Sequence, residues 1–358
     1  MRTRTLLVAS LLGLSASPAL AFQMKTATWT AGTVTLQVNP DVALTFPDHN
    51  ARIVAAANKV NGNASALRFA LATDNDAVSA TGNSENELAL TTSSTLLCGS
   101  VGCTWTWSSG GLFTEADVYL SSSNTWSLTD ARADHWSYSA TGNRPLISTA
   151  MHEMLHTMGC EHENNVVNIM GQSWSTVSVN GSSTEIVVSE DSTSGLLSVY
   201  GPRATAVNDL SVLHWKFDAV ATGASAYSNH ERSELLDSSG TPLTLAAGYY
   251  EPTYLVNKGQ VIQVEMTLEN RGTSSESRSL GTYFSTNDFI STSDTLLSTT
   301  TPTLGVNTPY ETTRTVTIPS TATSGTVYWI GAIIDNGGAL AEANEINNAS
   351  YIAAVKIN

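Results

Sequence analysis

The sequence predicts two folded units: an α+β domain over residues 22–202 and an all-β sandwich over residues 203–358. Three patterns carry that expectation. Before residue 202, short alternating stretches are interleaved with stretches whose apolar residues recur at helical spacing. Gly201-Pro202 then stops the last helical stretch, because glycine readily ends a helix and proline cannot continue one. From Asn208 onward the period becomes two, as on strands with one face in a core and the other in water.

Residues 1–21 stand apart. Arg2 and Arg4 precede an apolar run from Leu6 to Leu14, and Ala19-Leu20-Ala21 is a small-x-small cleavage signal, so this segment reads as a secretory signal peptide ending before Phe22. The run is too short to cross a bilayer, and no later stretch reaches the ~18 apolar residues of a spanning helix. The expectation is a secreted monomer without a membrane span, extracellular, periplasmic or at the cell surface. The chain carries 16 basic and 31 acidic residues, a net charge of −15; loss of Arg2 and Arg4 makes it −17. Such a surface repels nucleic acid and anionic lipid, which excludes nucleic acid as a partner.

Taken in order, Thr33 to Val38 alternates as a strand and Asn39-Pro40-Asp41 breaks it. Ile53, Val54, Ala57 and Val60 predict a helix from about Ala51 to Val60, capped by Asp48 or Asn50. Leu67 to Ala72 is a second strand. Asn83 to Trp107, rich in glycine and serine, reads as loop with a short apolar run at Leu88 to Leu90. Within it Cys98 and Cys103 have four residues between them, and an exported chain favours a disulfide there. The remaining cysteine, Cys160, reads as a small packing residue.

Glu115, Ala116, Asp117, Val118, Tyr119 and Leu120 form a strand, and residues 128–145 carry no clear period. A helix begins near Leu146 to Ser148, with Ser148 as its cap. Ser189-Glu190-Asp191 opens another through Tyr200, its acids at the positive end of the helix dipole. In the C-terminal unit Ile262, Val264, Met266 and Leu268 alternate with polar residues, and similar strands lie at Thr315 to Ile318, Val327 to Ile334 and Tyr351 to Ile357.

The chemistry concentrates in HEMLHTMGCEH, residues 152–162. On a helix His152 and His156 are four residues apart, about 40° around the axis, so both imidazoles leave one face. Glu153 sits roughly 100° round from His152, placed to reach a metal-bound water and not to join the ligands. Gly159 can take the left-handed conformation that ends the helix and turns the chain back, and His162 then supplies a third ligand. Three neutral imidazoles with an open fourth position suit one catalytic Zn²⁺, with Glu153 as general base and then acid.

These residues resemble the metzincin zinc motif, and Met170 resembles the Met-turn methionine that lies beneath the metal in that clan. Three features resemble its matrixin branch: the eight-residue step from His162 to Met170, EADVYL followed by Trp126, and SEDSTSGLLSVYG near the end of the unit. The likeness covers most of residues 27–201. It implies a zincin-type catalytic fold in which His152, His156 and His162 bind zinc, Glu153 is base and acid, Met170 is structural, and Glu115 to Leu120 is the edge strand against which extended peptide pairs. The chain departs from the pattern at several points. Glu163 is what an astacin-like protein would show, and Gln172 replaces the astacin tyrosine. His135 stands alone, against a second zinc, and no propeptide with a cysteine switch fits between Phe22 and the first strand.

In the C-terminal unit NDLSVL, LENRGT, YFSTNDFISTSDTLL and AEANEINNAS resemble the cell-adhesion-related (CARDB) domain of secreted bacterial proteins, an immunoglobulin-like sandwich, with about residues 215–252 inserted. Acidic turns around Asp335 and Glu342 to Glu345 read either as Ca²⁺ ligands or as solvated turns. The expected function is therefore a secreted zinc endopeptidase acting on extended protein or peptide. The alternative is an adhesion protein whose sandwich binds extracellular matrix or a cell-surface ligand.

Overall fold

A computed structural model describes residues 22–30, 32–74, 81–135, 143–163, 168–171, 177–214 and 233–358. The segment read as a signal peptide and Gln172 lie outside these residues, as do residues 215–232 of the expected insertion.

The N-terminal unit is built on a sheet of β1 (Thr33–Val38), β2 (Arg68–Thr73), β3 (Glu87–Thr91), β4 (Gly102–Ser109) and β5 (Leu112–Ser121), in the order β2-β1-β3-β5-β4. All neighbours are parallel except β4, which runs antiparallel to β5. Helices α1 (Pro40–Thr45) and α2 (Pro47–Val60) follow β1. Short strands β6 (Trp126–Ser127) and β7 (Arg144–Pro145) pair ahead of α3 (Leu146–Thr157), and a hairpin of β8 (Val177–Asn180) and β9 (Ser183–Ile186) precedes α4 (Glu190–Tyr200). The core forms where Val34, Leu36, Leu88 and Val118 of the sheet meet Ile53 and Val60 of α2 and Ala150, Met151, Met154 and Leu155 of α3.

Several sequence expectations need correction. Asn39-Pro40-Asp41 starts a helix as well as ending the strand: Asn39 Oδ1 accepts the Asp41 amide at 3.0 Å, and Pro40 supplies the preset φ of a first helical turn. Pro47 starts α2 earlier than Ala51 in the same way; Asp48 lies in its first turn and does not cap it. Ser148 does not cap α3 either. It lies inside the helix, where its hydroxyl donates to the Pro145 carbonyl at 3.0 Å. Ser189, by contrast, does cap α4, and Gly201 follows it at φ +70°.

The stretch read as loop from Asn83 to Trp107 holds two strands, β3 and most of β4. The apolar run at Leu88 is short because β3 is a buried parallel strand, paired with β1 on one side and β5 on the other. The edge-strand expectation for Glu115 to Leu120 is also overturned. They lie in β5, whose two sides are hydrogen-bonded to β3 and β4, so β4 holds the outer position in the sheet.

The C-terminal unit has two sheets. In one, β13 (Val261–Asn270) pairs with β10 (Leu210–Leu213), β11 (Leu235–Leu236) and β18 (Tyr310–Thr317). In the other the order is β12 (Thr253–Val256), β20 (Ala349–Ile357), β19 (Val327–Ile334), β15 (Leu280–Ser285) and β16 (Thr295–Thr300). A short pair, β14 (Glu276–Ser277) with β17 (Thr303–Leu304), lies beside them. The facing side chains, among them Val264, Met266, Ile330 and Val355, form a second core. β11 falls within the stretch read as an insertion, yet it belongs to the sheet.

The two units share a packed, hydrogen-bonded junction. Tyr283, Ile290, Ile333 and Tyr351 of the sandwich belong to the same apolar cluster as α2 and α3. Ser178 Oγ donates to the Val212 carbonyl at 2.6 Å, the Val179 amide to Ser350 Oγ at 3.0 Å, and the His214 amide to the Val177 carbonyl at 3.1 Å. At the start of α4, Glu190 Oε2 accepts the Asn270 amide at 2.9 Å, while the Glu190 amide donates to Glu269 Oε1 at 3.3 Å. Among the described residues no helix is long and apolar enough to cross a membrane.

Candidate metal centre

Helix α3 carries His152, Glu153 and His156, and Gly159, at φ +97°, turns the chain so that His162 comes back beside them. Any other residue at 159 would take a strained backbone, although its Cβ would meet the Phe113 ring only at contact distance, 3.4 Å. The three imidazoles meet at their Nε2 atoms: His152 to His156 is 3.1 Å, and His162 is 3.2 Å from each. His152 Nδ1 donates to the Ile169 carbonyl at 2.8 Å and His156 Nδ1 to the Cys160 carbonyl at 2.7 Å. A carbonyl only accepts, so on both rings the proton sits on Nδ1 and the Nε2 lone pair points inward. Converging lone pairs repel one another unless a cation lies between them. Three corners of a tetrahedron around zinc stand about 3.3 Å apart for Zn–N of about 2.0–2.1 Å, so the triangle fits that ion.

The electrostatics agree. Burial pushes His152 down to about 4, with the nearby Arg144 charge adding to the effect. Burial and the other two histidines hold His156 well below the ordinary imidazole range, and burial with His152 lowers His162 against the opposing charge of Glu161. All three are therefore neutral at pH 7, as ligands must be. Burial pushes Glu153 up to about 7, opposed by a hydrogen bond from Thr104 Oγ1 at 2.8 Å.

Met170 is 1% exposed and follows Ile169, whose carbonyl accepts from His152; its own amide donates to Asn168 Oδ1 at 2.7 Å. The same oxygen accepts from Ser189 and Ser192, and the Asn168 amide group donates to Asp191, tying the turn to the start of α4. Glu163 is fully buried, and its charge helps burial to raise Asp191 to about 8. Cys160 is buried and unbridged, its thiol pushed up by burial, which suits the packing role. Cys98 and Cys103 are disulfide-bonded at the wall of the cleft. His135 is buried away from the cluster, its ring against the Thr129 carbonyl and the Thr184 hydroxyl.

The cluster opens into a cleft of about 450 Å³ lined by Gly102, Cys103 and Thr104 of β4, by Lys25 and Arg144, and by the histidines with Glu153. Gly102, Thr104, Lys25 and Arg144 are site residues that sequence reasoning missed. Strand alternation in CTWTWS is the one signal that would have placed the first two.

The acids of the EADVYL strand turn inward. Glu115 accepts the Gly82 and Ser84 amides at 2.5 Å each, and Asp117 Oδ1 accepts the Glu87 amide at 3.1 Å. Burial, with the charges of Glu115 and Glu87, pushes Asp117 up to about 8. Beside them one carboxylate oxygen each from Asp74, Glu85 and Glu87 lie within 4.8 Å of one another. The acids read either as calcium ligands or as solvated turns accept hydrogen bonds within the sandwich. Asp335 Oδ2 accepts the Leu340 amide, Glu342 accepts from Leu210 and Asn348, and Glu345 from Asn348 and the Glu342 amide. Among the described residues, Asp335 and Glu342 to Glu345 do not form a metal-holding group.

Comparison with known proteins bears on the sandwich. Residues 246–351 match the CARDB family model. They are a CARDB domain. Two solved structures are similar to it, both of the CARDB domain of the PF1109 protein from Pyrococcus furiosus, one a crystal structure in complex with di-metal ions and one a solution structure. Each is 18% identical with a TM-score of 0.26; they cover 42% and 43% of this chain and 90% and 97% of their own. No curated protein matches the chain. The CARDB match is shorter than the resemblance read over 208–358, leaving β10 and β11 outside it.

Proposed function

We propose that the protein is a secreted zinc-dependent endopeptidase of metzincin, matrixin-like type. The observation that carries this reading is the triangle of Nε2 atoms at 3.1–3.2 Å with the Glu153 carboxylate beside it in an open cleft. The resemblance of residues 152–170 to the metzincin motif supports it, and the leader before Phe22 supports export.

His152, His156 and His162 would hold the ion. Bound there, zinc would supply Lewis acidity toward water and a peptide carbonyl. Glu153 would take a proton from the attacking water and pass it to the leaving nitrogen, a task suited to a carboxyl that burial raises to about 7. The outer strand β4 runs along the cleft, and an extended peptide would pair with it by strand addition. The expected monomer has one site per chain.

The test is digestion of casein or gelatin by the protein without residues 1–21, beside its Glu153→Ala variant, with zinc measured on both. Activity lost in the variant and on chelation, with about one zinc per chain retained by the variant, is the expected result; proteolysis that survives Glu153→Ala ends this reading. The CARDB domain favours a second role, docking to matrix or cell-surface ligand. Binding of the full chain carrying Glu153→Ala to collagen, polysaccharide or cells tests that role separately.

A further inference from the structure

We infer that Thr104 and Gly102 of β4 are positioning residues for the base, orienting the Glu153 carboxylate from the strand opposite its helix. The inference rests on the peptidase reading and concerns residues that the zinc motif does not contain.

A glutamate side chain has three rotatable bonds, so a helix position alone does not aim its carboxylate. Glu153 is 6% exposed, wedged between α3 and β4. Thr104 Oγ1 lies 2.8 Å from Glu153 Oε2 and 2.9 Å from the Glu153 carbonyl oxygen. One hydroxyl proton serves one of these acceptors at a time, and the charged carboxylate is the stronger. With Oε2 held, the other oxygen is left for proton transfer. It is also confined: a Cβ at Gly102 would come 2.9 Å from Glu153 Oε1, 3.1 Å from its Cγ and 3.0 Å from Thr149 Cγ2. The near end of that contact is a flexible side chain, so a residue at 102 would displace the carboxylate and leave the backbone in place.

Strand alternation explains the arrangement. Residues 102 and 104 share one face of β4, toward α3, while Cys103 between them faces the other way and is bonded to Cys98. The glycine gives room, the threonine gives a donor, and the disulfide anchors the strand that presents both. Misplacement of a reacting group by about 1 Å costs up to about 10²-fold, and loss of an orienting hydrogen bond about 10–100-fold.

The experiment compares wild type, Thr104→Val, Thr104→Ser, Gly102→Ala and Glu153→Ala as full-length mature proteins. It reads kcat and KM on one peptide, zinc content, melting temperature, and affinity for a peptide hydroxamate, a zinc binder that also hydrogen-bonds the base. Thr104→Val, nearly isosteric, is expected to lower kcat by about 10–100-fold with KM within about twofold and zinc retained. Its hydroxamate affinity falls too, and Thr104→Ser recovers both within about threefold. Gly102→Ala lowers kcat with zinc retained. If Thr104→Val keeps wild-type kcat and hydroxamate affinity while Glu153→Ala is dead, the inference is overturned and the peptidase reading stands. If Thr104→Ser is as impaired as Thr104→Val, or both lose zinc, the residue serves the fold and not the base, which also overturns it. Undiminished activity in Glu153→Ala removes the peptidase reading and this inference with it.

Discussion

Replacing Arg271 with alanine should destabilise both units together. The guanidinium is 3% exposed, with Nη2 2.8 Å from Asp209 Oδ1 and Nη1 3.1 Å from Ser211 Oγ and 3.4 Å from Glu269 Oε2. Glu269 in turn accepts the Glu190 amide at the start of α4, so the charge cluster sits on the seam between the units. Removing the one cation leaves two carboxylates in a place water hardly reaches, at a cost of about 3–5 kcal/mol. At about 2–4 °C per kcal/mol this is a loss of roughly 6–20 °C in melting temperature. The sign of the pH dependence follows from Glu269, whose carboxyl burial pushes up to about 7 even with Arg271 beside it. A raised pKa gives stability that is present in acid and lost as pH climbs through the folded value. Without the guanidinium that value rises further, so the gap between variant and wild type, to which the lost Asp209 pairing contributes at every pH, should be smaller near pH 4.5 and widen through pH 8. Scanning calorimetry at several pH values measures it. A shift under about 3 °C at pH 8, or two transitions of which only the sandwich moves, would refute the argument.

Three further outcomes are expected. Asp117→Asn removes a carboxyl that burial, Glu115 and Glu87 raise to about 8; in the presence of chelator it should be more stable than wild type at pH 8, by roughly 2–5 kcal/mol after allowance for solvent screening, and no more stable at pH 4, and an unchanged pH slope would contradict this. Joint replacement of Cys98 and Cys103 by serine frees the end of β4, and should lower peptidase activity more than global stability, since the closed loop is too short to restrict the unfolded chain strongly. A chain ending at residue 202 would expose the sandwich-facing side of β8 and leave Glu190 without its Asn270 partner. It should show no cooperative unfolding, and a native-like spectrum for it would count against the shared core.

The parts of the molecule legible in the sequence are those whose determinants lie close together along the chain. His152, His156 and His162 span eleven residues, so helix geometry and one glycine were enough to bring them together. The Ser189 cap and the Gly201 stop are local for the same reason. Thr104 is 49 residues from Glu153, and nothing in its neighbourhood announces the contact. Strand β4 was read as loop because glycines and serines flank a run of threonine and tryptophan that is largely half-buried. The edge assignment failed because strand order is a tertiary property: EADVYL has the composition of a strand, but its acids bind backbone amides of residues 82–87 in place of solvent. Likewise, the place of Glu190 at the start of its helix is local, whereas the backbone amides of the sandwich that its carboxylate also serves are 80 and 118 residues away.

The seam between the units also sets an order of events during synthesis. Val179 meets Ser350, 171 positions later, so the hairpin waits for the last strand to arrive. Such distant pairings close slowly, because the intervening chain must be gathered before the contact repays it. A ribosome that stops before β20 therefore releases a polypeptide that contains every histidine of the metal cluster but lacks the surface against which the hairpin settles.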